Sequence, residues 1–295
     1  MAYTWEKVPG FNFTDLLYEK RPGVAKITIN RPEAFNAFTS HTGKELAEAF
    51  EDAGGDDHVG VVVITGAGKK AFCTGGDAKE AEAGYSSEML KHTPKVHALI
   101  REMPKPVIAA VNGFAIGGGQ VLQQICDLSI ASETAQLGQA GPMVGSYDAA
   151  FGAAYLTRVV GEKKAREIWY LCRRYTAREA LEMGLVNAVV PPDKLEEEVD
   201  KWCDEILAKS PGAIKGLKAA FNLMSAEIRG LEILSFDGLW RYYATEEAKY
   251  YNQSFWEKKK TDPLKYRKKE LFPRIYEDSG LDKTPQTTAV VERRF

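Results

Sequence analysis

Two glycine-rich segments carry the clearest chemical signal in this chain: Phe72-Cys73-Thr74-Gly75-Gly76-Asp77 and Gly113-Phe114-Ala115-Ile116-Gly117-Gly118-Gly119. Each follows a run with the character of a buried strand, residues 60–65 for the first and 107–111 for the second, and each leads into a helix-like pattern. Glycine at a strand-to-helix turn lets the backbone approach a ligand closely and aim unpaired N–H groups at it. Two such turns, contributing one N–H each, suffice to grip a carbonyl oxygen that becomes negative during reaction. One glycine cluster alone is ordinarily a tight turn. The pair, in this order and with these flanks, is a specific signal for an oxyanion site.

Other chemistries find less support. The four histidines all lie between His41 and His97, none beside another group of catalytic character, which argues against a histidine triad or a zinc site. Cys73, Cys126, Cys172 and Cys203 are far apart and show no metal-ligand spacing, the pattern of reduced thiols in a cytoplasmic protein. A formal net charge of -2 gives no polyelectrolyte signature, so nucleic acid is not an expected partner. A hydrophobic share of 44% without a long apolar run points to a soluble protein with no membrane partner. Residues 1–10 contain Glu6 and Lys7 and lack the apolar centre of a secretory signal.

The elements that must position the glycine turns follow from periodicity. Residues 24–30 and 59–65 read as strands, the second continuous enough in Val and Ile to be covered on both faces. Residues 42–53 place Leu46, Ala49, Phe50 and Ala53 on one helix face. A helix over 87–103 is closed by Pro104 and Pro106, and is followed by a strand at 107–111, a helix at 119–126 and a strand at 127–131. Such alternation predicts an α/β fold with a mostly parallel sheet. Beyond Gly161 helices dominate, at 163–171, 177–183, 194–209 and 211–224, with a break at Pro191 and Pro192. The 295 residues are accordingly divided into an α/β core over 1–190, a helical region over 191–278 and a polar tail over 279–295. Residues 255–270 are strongly basic, which reads first as a solvated helix or tail and second as a contact for phosphates.

At this point a resemblance emerges. Ile29-Asn30-Arg31-Pro32, Asn36-Ala37-Phe38, residues 71–77, Lys105-Pro106-Val107, residues 113–119 and residues 180–190 together resemble the crotonase (enoyl-CoA hydratase/isomerase) superfamily. The resemblance implies a crotonase-like spiral of ββα repeats with a helical C-terminal region, assembled as a homotrimer or homohexamer. It also implies an acyl-CoA thioester as substrate, with its enolate held by two backbone N–H groups that fall by position on Gly76 and Gly118. No metal or tightly bound cofactor is implied; coenzyme A enters as part of the substrate. The hydratases of this superfamily use two glutamates, and this chain has Val121 and Gly141 at those positions, which disfavours simple hydration.

A narrower resemblance lies further on. Gln139 to Asp148, with Gly141-Pro142-Met143-Val144-Gly145-Ser146-Tyr147 between, resembles dihydroxynaphthoyl-CoA synthase and the 2-oxocyclohexane-carboxyl-CoA hydrolases, as does Val160-Gly161-Glu162-Lys163-Lys164-Ala165-Arg166-Glu167-Ile168-Trp169-Tyr170. Both groups make or break a C–C bond in a β-oxoacyl thioester. The resemblance carries catalytic roles to Ser146, Asp148 and Tyr243, a bicarbonate pocket to Gln139, Gly141 and Trp169, and substrate binding to Lys79. Each residue has a plainer reading: Asp148 and Asp77 as helix caps, Trp169 and Tyr243 as packing. Their joint occurrence favours function. The synthases place Arg where this chain has Phe35 and Thr39, and a Lys/Arg pair where it keeps only Lys79. A substrate with an extra carboxylate needs such cations, so ring opening of a cyclic β-oxoacyl-CoA is ranked ahead of ring closure by a synthase. A non-catalytic RNA- or acyl-CoA-binding homologue ranks third, since it would leave Ser146, Asp148 and Tyr243 without a purpose.

Overall fold

The computed structural model describes residues 3–83 and 87–266. Strands β1 (Glu6–Lys7), β2 (Leu16–Arg21) and β3 (Gly23–Ile29) pair antiparallel in sequence order. Helix α1 (Ser40–Gly55) starts on Thr39, which forms a reciprocal capping box with Thr42, and it buries Leu46, Ala49, Phe50 and Ala53 as the periodicity predicts. Then come β4 (Val59–Gly66), β5 (Ala71–Cys73), α2 (Ala78–Ala83), α3 (Ser87–Glu102), β6 (Val107–Val111), β7 (Phe114–Ile116), α4 (Gly118–Gln124), β8 (Leu128–Ser132) and β9 (Gln136–Gly138). A π-helix, Ala149–Tyr155, runs directly into α5 (Leu156–Val160), followed by α6 (Glu162–Leu171), β10 (Arg174–Thr176), α7 (Ala177–Glu182) and β11 (Ala188–Val190). The chain continues through α8 (Leu195–Leu207), α9 (Pro211–Leu223), α10 (Ala226–Tyr243) and α11 (Glu246–Trp256).

The strands form two sheets, ordered β1-β2-β3-β4-β6-β8-β11 and β10-β9-β7-β5. From β3 to β11 the larger sheet is parallel, as is the β5-β7-β9 part of the smaller one. Three successive pairs, β4/β5, β6/β7 and β8/β9, each send their first strand to the larger sheet and their second to the smaller, with helix following. This is the expected spiral of ββα repeats. One expectation needs correction: the glycine turns do not follow β4 and β6 directly. The three-residue strands β5 and β7 intervene, too short to show any periodicity.

The unbroken apolar run in β4 has a direct explanation. Val62 and Ile64 face the main core with Phe50, Phe72 and Ile100, while Val61 and Val63 face a second cluster sealed by Leu195, Val199 and Cys203 of α8. Helix α8 thus covers the far face of the larger sheet. The helical stretch after Pro191 belongs to the same compact unit as the α/β body, Met1–Glu257; a second unit is Lys258–Phe295. Helix α11 ends at Trp256, and Lys258, Lys259, Lys260 and Lys265 follow in turns and irregular chain. The remaining basic residues Arg267, Lys268 and Lys269 and the expected tail at 279–295 lie outside the described residues. Among the described residues no helix is long and apolar enough to cross a membrane.

Candidate active site

The two glycine turns meet backbone to backbone. Phe38 N–H donates to Gly75 O at 2.8 Å and Asp77 N–H to Phe38 O at 2.9 Å, a bridge that leaves the intervening Gly76 N–H out. Gly117, at φ 58° and ψ -124°, turns the chain from β7 into α4, whose first residue is Gly118. A methyl group on Gly75 would stand 2.9 Å from Gly118 N, and one on Gly119 would stand 1.9 Å from Cys73 O, so a larger residue is excluded by its neighbour's backbone. Neither the Gly76 nor the Gly118 N–H has an acceptor among the described residues. Asp77 beside them is a cap: Oδ1 accepts from Lys79 N–H at 2.9 Å and Oδ2 from Arg31 at 3.0 Å. Burial pushes its carboxyl up, but the Lys79 amide and Arg31 outweigh it and hold the group below the ordinary range.

The segment after β9 starts from this corner. Gly117 N–H donates to Gly138 O at 2.9 Å, and Gln139 Nε2 to Gly117 O at 3.4 Å. Ser146 N–H closes the loop on Gly141 O at 2.8 Å, and Gly145, at φ 65°, lies so close to the α11 backbone that a methyl group would meet Ala248 O. Ser146 Oγ and Tyr243 Oη, on α10, share a hydrogen bond of 2.7 Å. Asp148 Oδ1 accepts from Ala150 N–H at 2.9 Å, capping the π-helix. Across that first turn, a methyl group on Gly152 would fall 2.5 Å from Asp148 Cβ and 2.8 Å from the Trp169 ring. Ser146, Asp148, Tyr243, Gly141 and Trp169 are therefore gathered around the start of the π-helix, an element frequent at functional sites. Asp148 fills the plain capping role as well. Lys79 stands on the exposed side of α2, and among the described residues nothing joins it to this cluster.

Burial pushes the Tyr243 hydroxyl up to about 12; Ser146 acts against that shift and Asp148 adds to it. Tyr243 is therefore a neutral phenol at neutral pH, able to donate. Asp148 retains some surface as a residue, yet burial dominates its carboxyl and raises it above the ordinary range, with His97 and the Gly152 and Ala150 amides acting in the opposite direction. A carboxyl that holds its proton more tightly than an ordinary carboxylate is suited to acid–base work. Val121 and Gly141, where the resemblance expects the hydratase glutamates, offer no such group. Val121 is 2% exposed in the core, and a side chain on Gly141 would strike Ser146 O and the Trp169 ring, each at 2.7 Å.

The same crowding bears on bicarbonate. The Trp169 indole N–H is committed to Gly152 O at 2.7 Å, and the Gln139 amide reaches Gly117 O. As arranged, these residues do not fit an anion. Activity in decarbonated buffer should therefore be indifferent to added bicarbonate; a saturable rise would restore the anion pocket to Gln139, Gly141 and Trp169.

One group escaped the sequence reading. His97, there without a catalytic-looking neighbour, has its Nδ1 2.7 Å from Glu232 Oε1, and both side chains are buried. Arg229 donates to the other Glu232 oxygen. A signal existed: Ile228, Glu232, Ser235 and Leu239 form the buried stripe of α10, and a carboxylate on such a stripe requires a buried partner. Among the described residues no three His, Cys, Asp or Glu side chains cluster to hold a metal ion.

Residues 19–263 match the family described as Enoyl-CoA hydratase/isomerase. Among solved structures, an enoyl-CoA hydratase from Mycobacterium avium subsp. paratuberculosis K-10 is 31% identical, with 82% of this chain and 99% of that one covered at a TM-score of 0.75. An enoyl-CoA hydratase/isomerase from Xanthobacter autotrophicus Py2 is 31% identical over 83% of this chain and 94% of its own, with a TM-score of 0.76. A carnitinyl-CoA hydratase from Mycobacterium avium is 32% identical over 84% and 97%, with a TM-score of 0.74.

Proposed function

Because the chain belongs to the enoyl-CoA hydratase/isomerase family, we propose that it cleaves a C–C bond in a cyclic β-oxoacyl-CoA by hydrolytic ring opening. The observation that carries this reading is the exchange of acid–base groups. Both hydratase carboxylate positions are filled by residues that cannot move a proton, Val121 and Gly141, while Asp148 and the hydrogen-bonded Ser146 and Tyr243 stand together instead. The names of the similar structures speak of hydratases or of a hydratase/isomerase; the positions to which the resemblance assigns the hydratase glutamates hold Val121 and Gly141 in this chain.

In this scheme Gly76 and Gly118 polarise the thioester oxygen. Asp148, beside Ser146, takes a proton from water as its oxygen adds to the ring ketone carbon. The adduct collapses with rupture of the bond between that carbon and the thioester α-carbon. The electron pair passes into the thioester enolate, whose oxygen the two N–H groups stabilise. Tyr243, neutral and a donor, polarises the ketone, and a proton returned to the α-carbon completes a dicarboxylic mono-CoA product.

The alternative, ring closure by a dihydroxynaphthoyl-CoA synthase, draws on the same three side chains. Its substrate carries a further carboxylate, and the cations available here are few: Arg31 is committed to Asp77 and Asp15, and Lys79 stands apart on α2. Incubation with cyclic β-oxoacyl-CoAs and with succinylbenzoyl-CoA, read by mass spectrometry, separates the two. The expected product is an alicyclic substrate plus the mass of water. Cyclisation of succinylbenzoyl-CoA with loss of water, and no ring opening, would reverse the assignment. The basic segment, the sole support for an RNA-binding reading, shares no residue with this cluster.

We read the apolar side chains exposed on the C-terminal helices as a contact with further copies of this chain, in a trimer or hexamer. Leu217 and Phe221 of α9 and Ile233 and Leu234 of α10 are each more than half exposed, apolar surface that a monomer would leave in water.

A further inference from the structure

We propose that Gln124 is a positioning residue that ties the base to the oxyanion donors: its side-chain amide, at the far end of the helix that Gly118 begins, holds the turn of the π-helix that Asp148 caps. The role rests on the reading of Asp148 and Gly118 given above, and it supplies the contact that sets one against the other.

Helix α4 has seven residues, so its ends lie about 9 Å apart in a single short rod. Its start is fixed. Gly117 N–H donates to Gly138 O, and Gly119 packs so tightly on β5 that a methyl group there would stand 1.9 Å from Cys73 O. Gln124 is the last residue of α4 and is buried. Its Nε2 donates to Phe151 O and, at 3.4 Å, to Gly152 O. These are the third and fourth residues of the π-helix, and a methyl group on Gly152 would fall 2.5 Å from Asp148 Cβ. Two other anchors reach the same turn, Trp169 Nε1 on Gly152 O from α6 and Ser235 Oγ on Ala149 N–H from α10. Among the described residues, Gln124 is the hydrogen-bonding side chain that joins this turn to α4, the helix of the oxyanion donor.

The amide can stand only one way round. A backbone carbonyl accepts and never donates, so Nε2 must face Phe151 and Gly152, and Oε1 is left to accept from Gln120 Nε2 at 3.2 Å. The other end of Gln120 then has nowhere to go: Gln120 is fully buried, and its Oε1 has no partner among the described residues. A buried acceptor without a donor is unfavourable, and an apolar residue at 120 would remove it. The pair of amides instead passes the unsatisfied atom away from the π-helix carbonyls and keeps those carbonyls bonded. Such a local conflict in a core is expected where the position serves a site rather than the packing. The element it holds is the wide turn of a π-helix, whose spacing departs from the ordinary helical ladder and needs support from outside.

The test compares Gln124→Met, of similar length but without the N–H, with Gln120→Met. In Gln124→Met, kcat for ring opening should fall by roughly 10–100-fold with KM unchanged, because a displacement of about 1 Å between base and oxyanion site has an effect of that order. Binding of acetoacetyl-CoA, a β-oxoacyl thioester with no ring to open, reads the oxyanion donors without the base and should match the parent. Gln120→Met exchanges one unpartnered buried oxygen for another and leaves both carbonyl contacts in place, so its kcat should fall far less. Three results overturn the proposal: a parent-like kcat in Gln124→Met, a joint loss of kcat and acetoacetyl-CoA binding that marks general loosening, or an equal loss in Gln120→Met. Should Gln124→Met not fold, Gln124→Asn keeps the amide and withdraws it by one carbon; the same split is expected, and a parent-like kcat again overturns the proposal. Failure of the underlying reading looks different, because Asp148→Asn would then keep its turnover, or the parent would open no ring substrate at all.

Discussion

Asp148→Asn should leave the fold intact and lower kcat by about 10²–10⁴-fold, the usual worth of a positioned acid–base group. The substitution is selective because Asn retains a side-chain oxygen for Ala150 N–H, so the cap on the π-helix survives while the base is removed. A thermal measurement makes the prediction two-sided. Burial raises the Asp148 carboxyl in the folded protein, so the fold binds a proton that the unfolded chain has already released. Its contribution to stability therefore declines as pH rises from the ordinary carboxylate range through the raised folded value. Asp148→Asn does not titrate, so its melting temperature should match the parent in acid and exceed it increasingly as the pH climbs through that window. An inactive variant with no such gain would mean that Asp148 is not buried as a charge. An active one would remove it from the chemistry.

The second large effect belongs to the oxyanion donors. Gly118→Pro deletes one N–H and should lower kcat by about 10²–10³-fold, equivalent to about 2.7–4 kcal/mol of transition-state stabilisation. Position 118 begins α4, where proline is well accommodated, and Gly117 before it lies outside the helical region that proline disfavours. A side chain here meets the Phe38 ring at 2.9 Å, so steric disturbance must be separated from the loss of the donor. Gly118→Ala provides that control, since it brings the same first carbon against Phe38 and keeps the N–H. Turnover of the ring substrate should fall far more in the proline variant than in the alanine one, with circular dichroism unchanged in both. Equal losses would assign the effect to Phe38 and move the oxyanion site elsewhere.

What could be read without a structure is what depends on near neighbours. The glycines at 75, 76 and 117–119 announce turns in which backbone must meet backbone, because no other residue offers both the dihedral freedom and the absent side chain. The Val and Ile run of β4 announces a strand covered on both faces, and α8 provides the second cover. Asp148 two residues before Ala150 announces a cap. The narrower resemblance adds Ser146 and Tyr243 only by position; their 2.7 Å contact spans 97 residues and exists because α10 packs on the π-helix. The π-helix itself left no sequence signal, and β5, β7 and β9, three residues each, are strands because of the strands beside them. His97 shows the limit most clearly. It lies on the buried face of α3 and Glu232 on that of α10, but local sequence cannot report which face another is buried against. That choice is made by the packing of the whole chain, where two buried polar groups persist only if the fold brings each to the other.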